Sequence, residues 1–380
     1  MRRFNEIIDF DPEKKTLQLY AGITLGKLYN YLFPRGFYLP VQPGWYGITL
    51  GGIIAANSHG KNPYKDGMVI DWVESLELFH PLHGQLYLSR SENEDLFYLT
   101  CGGYGLTGII ISAKIRLAEH NWSVLKTKNI PVKDIFETYE MFKLHRDDYE
   151  TVYSWNDYSR YSHKAGRGFV MLSKNYQSEK NNLQLIKQKV LNPHERKLRL
   201  KLFYKPFLPI INTIFYLLNT KLIKENQEDL NSVLFPWHNK LFYFDAYGNR
   251  GYLNHQVIIP EKNINVYFKR FHELQRSLGI RIVLTMSKLF RGKQILLHFN
   301  GNGIGFGFDL INCKESISFL NKLDNINTEL GCITCPIKDS RLTAIVAKKQ
   351  YKEYDLFRQK LNDFDPKRIF KSALSDRLEL

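Results

Sequence analysis

Three polar side chains, His59, Lys61 and Asn62, end a stretch that begins at Gly44 and carries small residues at 51, 52, 55 and 56. Small side chains let a backbone come close to another group. Backbone N–H groups exposed in that way bind a diphosphate without needing a cationic side chain. The run therefore reads as a binding segment with a polar tip; a tight helix–helix contact through Gly51 and Gly52 is the competing reading. A second cluster, Gly102 to Gly108, contains a formal G-x-G-x-x-G starting at Gly103. A nicotinamide-binding turn of that type must follow a strand and open a helix. Here the β-branched run Ile109 to Leu117 follows and reads as a strand, which excludes the nicotinamide reading. Cys332 and Cys335 form a C-x-x-C without a second pair. Residues three apart on a strand point to opposite faces, which predicts two separately packed thiols and no metal centre.

The elements that must position these residues are partly legible. Ile7 to Phe10 and Thr16 to Tyr20 read as short strands around the polar turn Asp11 to Lys15. Thr24 caps a helix through Leu25, Leu28 and Leu32, with Gly36 past its end. From about Asn121 the pattern changes. Gly251 to Ile259, Arg281 to Met286 and Gln294 to Phe299 read as strands, and Asn263 to Leu278 as a helix. A glycine–cysteine turn, a helix from Lys349 to Leu361 and a polar tail close the chain. The expectation is an α+β protein in which one domain is interrupted by another.

Composition narrows the partners. The 380 residues exceed one ordinary core, and 44% hydrophobic with 24% charged residues describes a globular chain. The net charge of +15 favours anionic partners, and the basic residues are densest at Arg196, Lys197, Arg199, Lys201 and Lys205. No zinc-finger or RNA-binding pattern accompanies them, so nucleic acid is not expected. Four cysteines do not make a disulfide framework, and a reducing, cytoplasmic setting is the expectation. The first six residues carry two positive charges but no apolar run after them, unlike a signal peptide. Phe207 to Leu218, flanked by Lys205 and Lys221, is too short to cross a bilayer. It reads either as an element lying on a membrane or as a helix or lid packed on its own domain.

Taken in order, four segments resemble one family: the small-residue run ending His59-Gly60-Lys61-Asn62, Asp66-Gly67, Asn93-Glu94-Asp95-Leu96-Phe97, and Gly102 to Ile110. The resemblance is to the FAD-binding, PCMH-type domain of the vanillyl-alcohol oxidase superfamily. Within it, the chain is most similar to the decaprenylphosphoryl-ribose oxidase family, the oxidase subunits of that epimerase. Cys335 to Arg341 and Asp365 to Ser372, with the closing Arg377-Leu378-Glu379-Leu380, carry the narrower match. It spans nearly the whole chain and is loosest between about 121 and 245.

The resemblance implies an FAD-binding domain at 1–122, an α+β substrate domain with an antiparallel sheet at 123–330, and a return to the FAD-binding domain at 331–380. It implies FAD contacts from Gly44, Thr49, Leu50, Gly51, Gly52, Ala56, Asn57, His59, Ile110 and Cys335. It implies an active site of His59, Lys61, Asn254, Gln256, Lys288 and Lys338, with His59 and Lys338 catalytic and the other four binding substrate. Family members commonly have glutamine in place of Asn254 and often tyrosine in place of Cys335. They also carry an earlier βαβ segment whose arginine-glycine-serine-tyrosine-glycine loop cradles the diphosphate, and this chain begins after it. A late-assigned start or a fragment is the expectation, with degraded or partner-assisted FAD binding as the alternative.

The chemistry expected is removal of a hydride from a secondary alcohol carbon of a sugar to the flavin N5. Holding that carbon in place removes much of the entropic barrier. The hydroxyl proton needs an acceptor with a pKa near the working pH, which points to histidine or a desolvated lysine. His59 as a brace for the flavin loop and Lys338 as a member of an ion-pair network are the plain structural readings. Lys61 and Lys288 hold a phosphate as point charges or are solvated lysines. A polyprenyl-phosphate pentose is the expected substrate, and a separate short-chain reductase and peripheral contact with the inner membrane face are the further partners considered. An aldonolactone or sugar-alcohol oxidase and a non-catalytic partner without flavin are the alternatives. The histidine-tryptophan-glycine-lysine motif of the lactone enzymes is not found.

Overall fold

Alternating apolar positions and a polar turn make Ile7–Asp11 (β1) and Thr16–Tyr20 (β2) an antiparallel hairpin. Thr24 then accepts from the Lys27 N–H and starts Leu25–Leu32 (α1), whose buried face joins the core. A six-residue helix, Leu50–Ala55 (α2), follows. Val73–His80 (β3), Gly84–Ser89 (β4), the helix Glu94–Thr100 (α3) and Ile109–Arg116 (β5) complete the first half. The five strands form one sheet in the order β1-β2-β5-β3-β4. The computed structural model describes residues 4–120, 124–161, 166–176, 186, 200–204, 206–236 and 242–380. Of the basic cluster, Arg196, Lys197, Arg199 and Lys205 fall outside these residues, and Lys201 is exposed.

A second sheet of eight strands carries the middle of the chain. Its members are Val124–Val132 (β6), Thr151–Asn156 (β7) and Gly168–Tyr176 (β8). Before β7 comes the helix Ile135–His145 (α4), and after β8 the helix Phe207–Leu217 (α5). Glu225–Asp229 (β9), Tyr252–Pro260 (β10), Ile264–Ser277 (α6), Leu284–Phe290 (β11) and Gly303–Ile311 (β12) continue it. Lys314–Glu329 (α7) and the short Ile333–Thr334 (β13) end it. The order is β9-β6-β8-β7-β11-β12-β10-β13, antiparallel throughout.

Strand periodicity gives this sheet two distinct faces. Val257, Ile259, Ile304, Phe306 and Phe308 pack against α4, α6 and α7 in one aromatic-rich core. The alternate residues, Asn254 and Gln256 on β10, Leu284, Met286 and Lys288 on β11, and Gly305, Gly307 and Asp309 on β12, line a cleft. The last helices, Ala344–Gln350 (α8) and Tyr354–Phe364 (α9), return to the first half. There Phe357 and Leu361 share a core with Leu99 and Leu106, and Lys360 donates to Asp95 at 2.7 Å.

Three sequence expectations are corrected. Gln294 to Phe299 is not a strand: its turn bonds His298 N–H to Ile295 O, with Leu296 at φ +49°. Leu296 and Leu297 are buried among the C-terminal helices, so their apolar character reflects that packing and not a ladder. The helix expected from Lys349 to Leu361 is two helices, α8 and α9, parted where Tyr351 is buried and donates to Thr334 O at 2.8 Å. The strand expected from Arg281 starts only at Leu284, because Ile282 N–H is taken by Tyr158 O outside the sheet. Among the described residues no helix is long and apolar enough to cross a membrane.

Candidate active site

The two adjacent glycines of α2 do different work. Gly51 donates its N–H to Ala21 O at 2.8 Å, and a Cβ there would lie 3.1 Å from that of Ala21. This is a tight contact, made with a turn after β2 and not with another helix. Gly52 is exposed, helical, and has only Thr49 Oγ1 and an Ile48 methyl near its missing Cβ. Glycine inside a helix costs about 1 kcal/mol against alanine, and the chain's own packing does not require it here. With Ala56, four residues on, Gly52 lines the cleft, as do Gly44 and Asn57. Asn57 sits at φ +40° and accepts from Ile70 N–H at 3.0 Å, which turns the chain towards His59. Thr49 caps α2, Leu50 and Ile110 are buried in the core, and none of these three nor Gly51 is a cleft-lining residue.

The cleft, about 830 Å³, brings together His59, Lys61, Asn254, Gln256, Lys288, Lys338 and Cys335. The sheet supplies three cross-strand rows: Asn254, Asp309 and Leu284; Gln256, Gly307 and Met286; Gly305 and Lys288. Glycine at 305 is forced, since a Cβ would lie 2.2 Å from the Phe290 ring. A Cβ at Gly307 would make ordinary contacts with Gln256 Cγ and Met286 O, at 3.5 and 3.6 Å.

His59 is the hub. The Gln256 amide donates to its Nε2 at 3.0 Å, and its Nδ1 lies 3.1 Å from Gly60 O. These partners fit the tautomer with the proton on Nδ1. Lys288 Nζ donates to Gly60 O at 2.8 Å and comes within 3.3 Å of His59 Nδ1. Burial first, and then the Lys288 charge, hold His59 well below the ordinary histidine range, so it is uncharged at neutral pH. Burial, helped by Lys61 and Lys338, takes Lys288 well below the usual lysine value. Lys61 is pushed down to about 8 by burial and then by Lys338. Three lysines thus face one small-walled space, an arrangement that attracts an anion.

At the far end, Asp309 accepts from Tyr243 Oη at 2.6 Å and from the Asn254 amide at 2.5 Å, and burial raises its pKa. Sequence reasoning missed Asp309, Tyr243, Met286, Gly305 and Gly307. The signal was present: Gly303, Gly305 and Gly307 alternate along β12 and lead to Asp309 on the same face. Glycine's poor strand propensity hid it.

Behind the cleft, His255 points to the opposite face of β10 and meets Asp339 at 2.7 Å. Arg341 donates to Asp339 at 2.8 Å and to Asp324 at 2.6 and 3.0 Å. This buried network makes the ion pairs of the loop, while Lys338, exposed, lines the cleft. Cys335 donates its N–H to Gln256 O at 2.8 Å. Burial pushes its thiol up to about 11, so it stays protonated, and Cys332 is buried separately in the second core.

Comparison with known proteins bears on what this cleft holds. Residues 1–86 match the FAD binding domain family. The N-terminal part of this chain is an FAD-binding domain. FAD is therefore its cofactor, and the cleft wall at exposed Gly52 and half-buried Ala56 fits a planar group. Over its whole length the chain is 26% identical to decaprenylphosphoryl-beta-D-ribose oxidase of Mycolicibacterium smegmatis, covering 84% of that protein. About a third of the chain is also similar to plant enzymes. The match to L-galactono-1,4-lactone dehydrogenase 2 of Oryza sativa is 32% identical over 31% of this chain and 20% of that protein. The match to L-gulonolactone oxidase 3 of Arabidopsis thaliana is 24% identical over 35% of this chain and 25% of that protein. These similarities, with the FAD-binding domain, make the chain an FAD-dependent oxidoreductase.

Proposed function

We propose that this protein oxidises a secondary hydroxyl of a phosphate-bearing sugar, a polyprenyl-phosphate pentose, to a keto sugar. The observation that carries the reading is the cluster of Lys61, Lys288 and Lys338 around an uncharged His59 on the same cleft as the Gly52 face. FAD, when bound, supplies the acceptor for the substrate's hydride. His59 and Lys338 flank the reacting hydroxyl, and one of the two takes its proton. Lys61 and Lys288 offset the substrate's negative charge, and Gln256 holds the His59 ring. Asn254 and Asp309 take a donor hydroxyl of the sugar at the other end. The domain reading goes with it: 1–122 and 331–380 form the FAD-binding part, and 123–330 the substrate part. A cytoplasmic enzyme reaching its substrate at a lipid surface, and passing its product to a separate short-chain reductase, completes the picture.

Purified protein is expected to show the two visible absorption bands of an oxidised flavin. Its turnover is expected with a prenyl-phosphate pentose in preference to free aldonolactones. His59→Gln and Lys338→Met are expected to lower kcat/KM by about 10²- to 10⁴-fold while keeping the flavin bands. Turnover of lactones alone would move the assignment to the lactone oxidases. Purified protein without flavin, and unable to take it up, would make the chain a non-catalytic partner.

A further inference from the structure

Helix α5 is apolar on more than its packed side. On an ordinary surface helix the apolar stripe faces the core. Here the packed face holds Leu208 and Pro209 together with Asn212, and Asn212 and Thr213 are held by polar contacts. Asn212 donates to Asp157 at 3.0 Å, and Arg160 and Arg167 donate to Thr213 Oγ1 at 2.9 and 3.0 Å. The opposite stripe is Phe207, Ile210, Ile214, Leu217 and Leu218, continued by Leu222 in the turn beyond. The spacing of three and four residues puts these on one side. Phe207, Ile210 and Ile214 are 55%, 54% and 52% exposed, and Leu222 is 77% exposed. Single exposed leucines are ordinary, but a contiguous apolar stripe over polar anchoring marks an interaction surface.

Two further observations say what covers it. The exposed lysines Lys221 and Lys224 follow the stripe, while the nearby Glu225 is paired with Lys126 and Lys128. Apolar face and basic border together match the chemistry of an anionic bilayer surface. The helix also packs beside the cleft. Leu208 of α5 packs with Tyr247 and Val283, and Tyr243 joins that cluster and lines the cleft beside Phe244 and Tyr252. Val283 directly precedes Leu284, the first cleft residue of β11.

We propose that α5 lies in the headgroup region of an anionic membrane, its outward stripe inserted, and so sets the cleft mouth against the lipid surface. The inference deepens the proposed function, on which it rests for the benefit of that placement: a lipid-linked sugar could enter the cleft with its prenyl chain still in the bilayer. Docking itself needs no substrate. The full chain is expected to co-sediment with vesicles of phosphatidylcholine and phosphatidylglycerol, and more weakly with phosphatidylcholine alone. The triple variant Ile210→Ser, Ile214→Ser, Leu218→Ser should lose about tenfold or more of that affinity, since three inserted apolar side chains are removed. Its melting temperature and flavin bands should match the parent's, because the replaced side chains face outward. Lys221→Glu with Lys224→Glu should weaken binding to the anionic vesicles severalfold and leave the neutral ones little changed. Parent protein that stays off anionic vesicles, or a triple variant that binds as tightly as the parent, overturns the proposal. So does a stable dimer in solution that the triple variant abolishes, because the stripe would then belong to a second copy. Vesicle binding without oxidation of any prenyl-phosphate sugar would sink the proposed substrate and leave the docking surface standing.

Discussion

Lys61 shows how a single residue ties the site to stability. Burial and the Lys338 charge lower its pKa from 10.5 to about 8, so the folded state resists the charged form. Between those two values the unfolded chain binds more protons than the folded one, and stability rises with pH across that window. Below about 8 the folded protein carries the charged lysine at a cost on the order of 3 kcal/mol. Lys288 is depressed by the same causes and acts in the same direction. Denaturant midpoints measured from neutral to alkaline pH should therefore climb for the parent, and Lys61→Met should flatten part of that climb. A bound phosphate-bearing substrate would supply the missing anion. Added substrate should raise the midpoint most at neutral pH, where the buried Lys61 carries its charge.

At the scale of elements, α2 separates packing from binding over two consecutive positions. Gly51→Val would drive a branched side chain into the Ala21 backbone and is expected to destabilise by about 1–3 kcal/mol. Gly52→Leu should do the reverse: leucine is a better helix former and meets little of the chain's own structure. The expected outcome is a melting temperature near the parent's with the flavin bands lost. Flavin retained at parental level in Gly52→Leu would remove α2 from the cofactor wall. Strand β12 works by a similar division. Its odd positions from 305 to 309 line the cleft and are glycine up to Asp309, while its even positions are bulky and fill the core beneath α6 and α7.

Across the whole molecule, the C-terminal helices pack back on the first half of the chain. Phe357 is fully buried among Leu99, Leu106, Leu296 and Leu361, residues drawn from distant parts of the chain. Phe357→Ala is expected to cost about 3–5 kcal/mol, lowering both melting temperature and flavin retention. A comparable variant on the far core, such as Phe268→Ala, should destabilise as much while its folded fraction keeps flavin. The contrast tests whether the C-terminal return supports the cofactor side.

Sequence alone determined those features whose cause is local. The β1–β2 hairpin, the Thr24 cap and the strand after the Gly102 cluster each follow from periodicity or a capping side chain within a few residues. The small-residue run before His59 was visible for the same reason, since close approach requires small side chains whatever lies opposite. Tertiary structure alone decided which glycine packs and which faces the cleft, because that depends on Ala21, thirty residues earlier. It also decided that Gln294 to Phe299 feeds the C-terminal core and that Gly303 to Ile311 is a strand. In both, long-range packing outweighs local preference: apolar residues there serve partners distant in sequence, and glycines survive in a strand because its neighbours hold it. Asp309 joins the cleft, and α5 turns an apolar stripe outward, for the same physical reason. The direction a side chain faces is set by what the remainder of the fold leaves open to it.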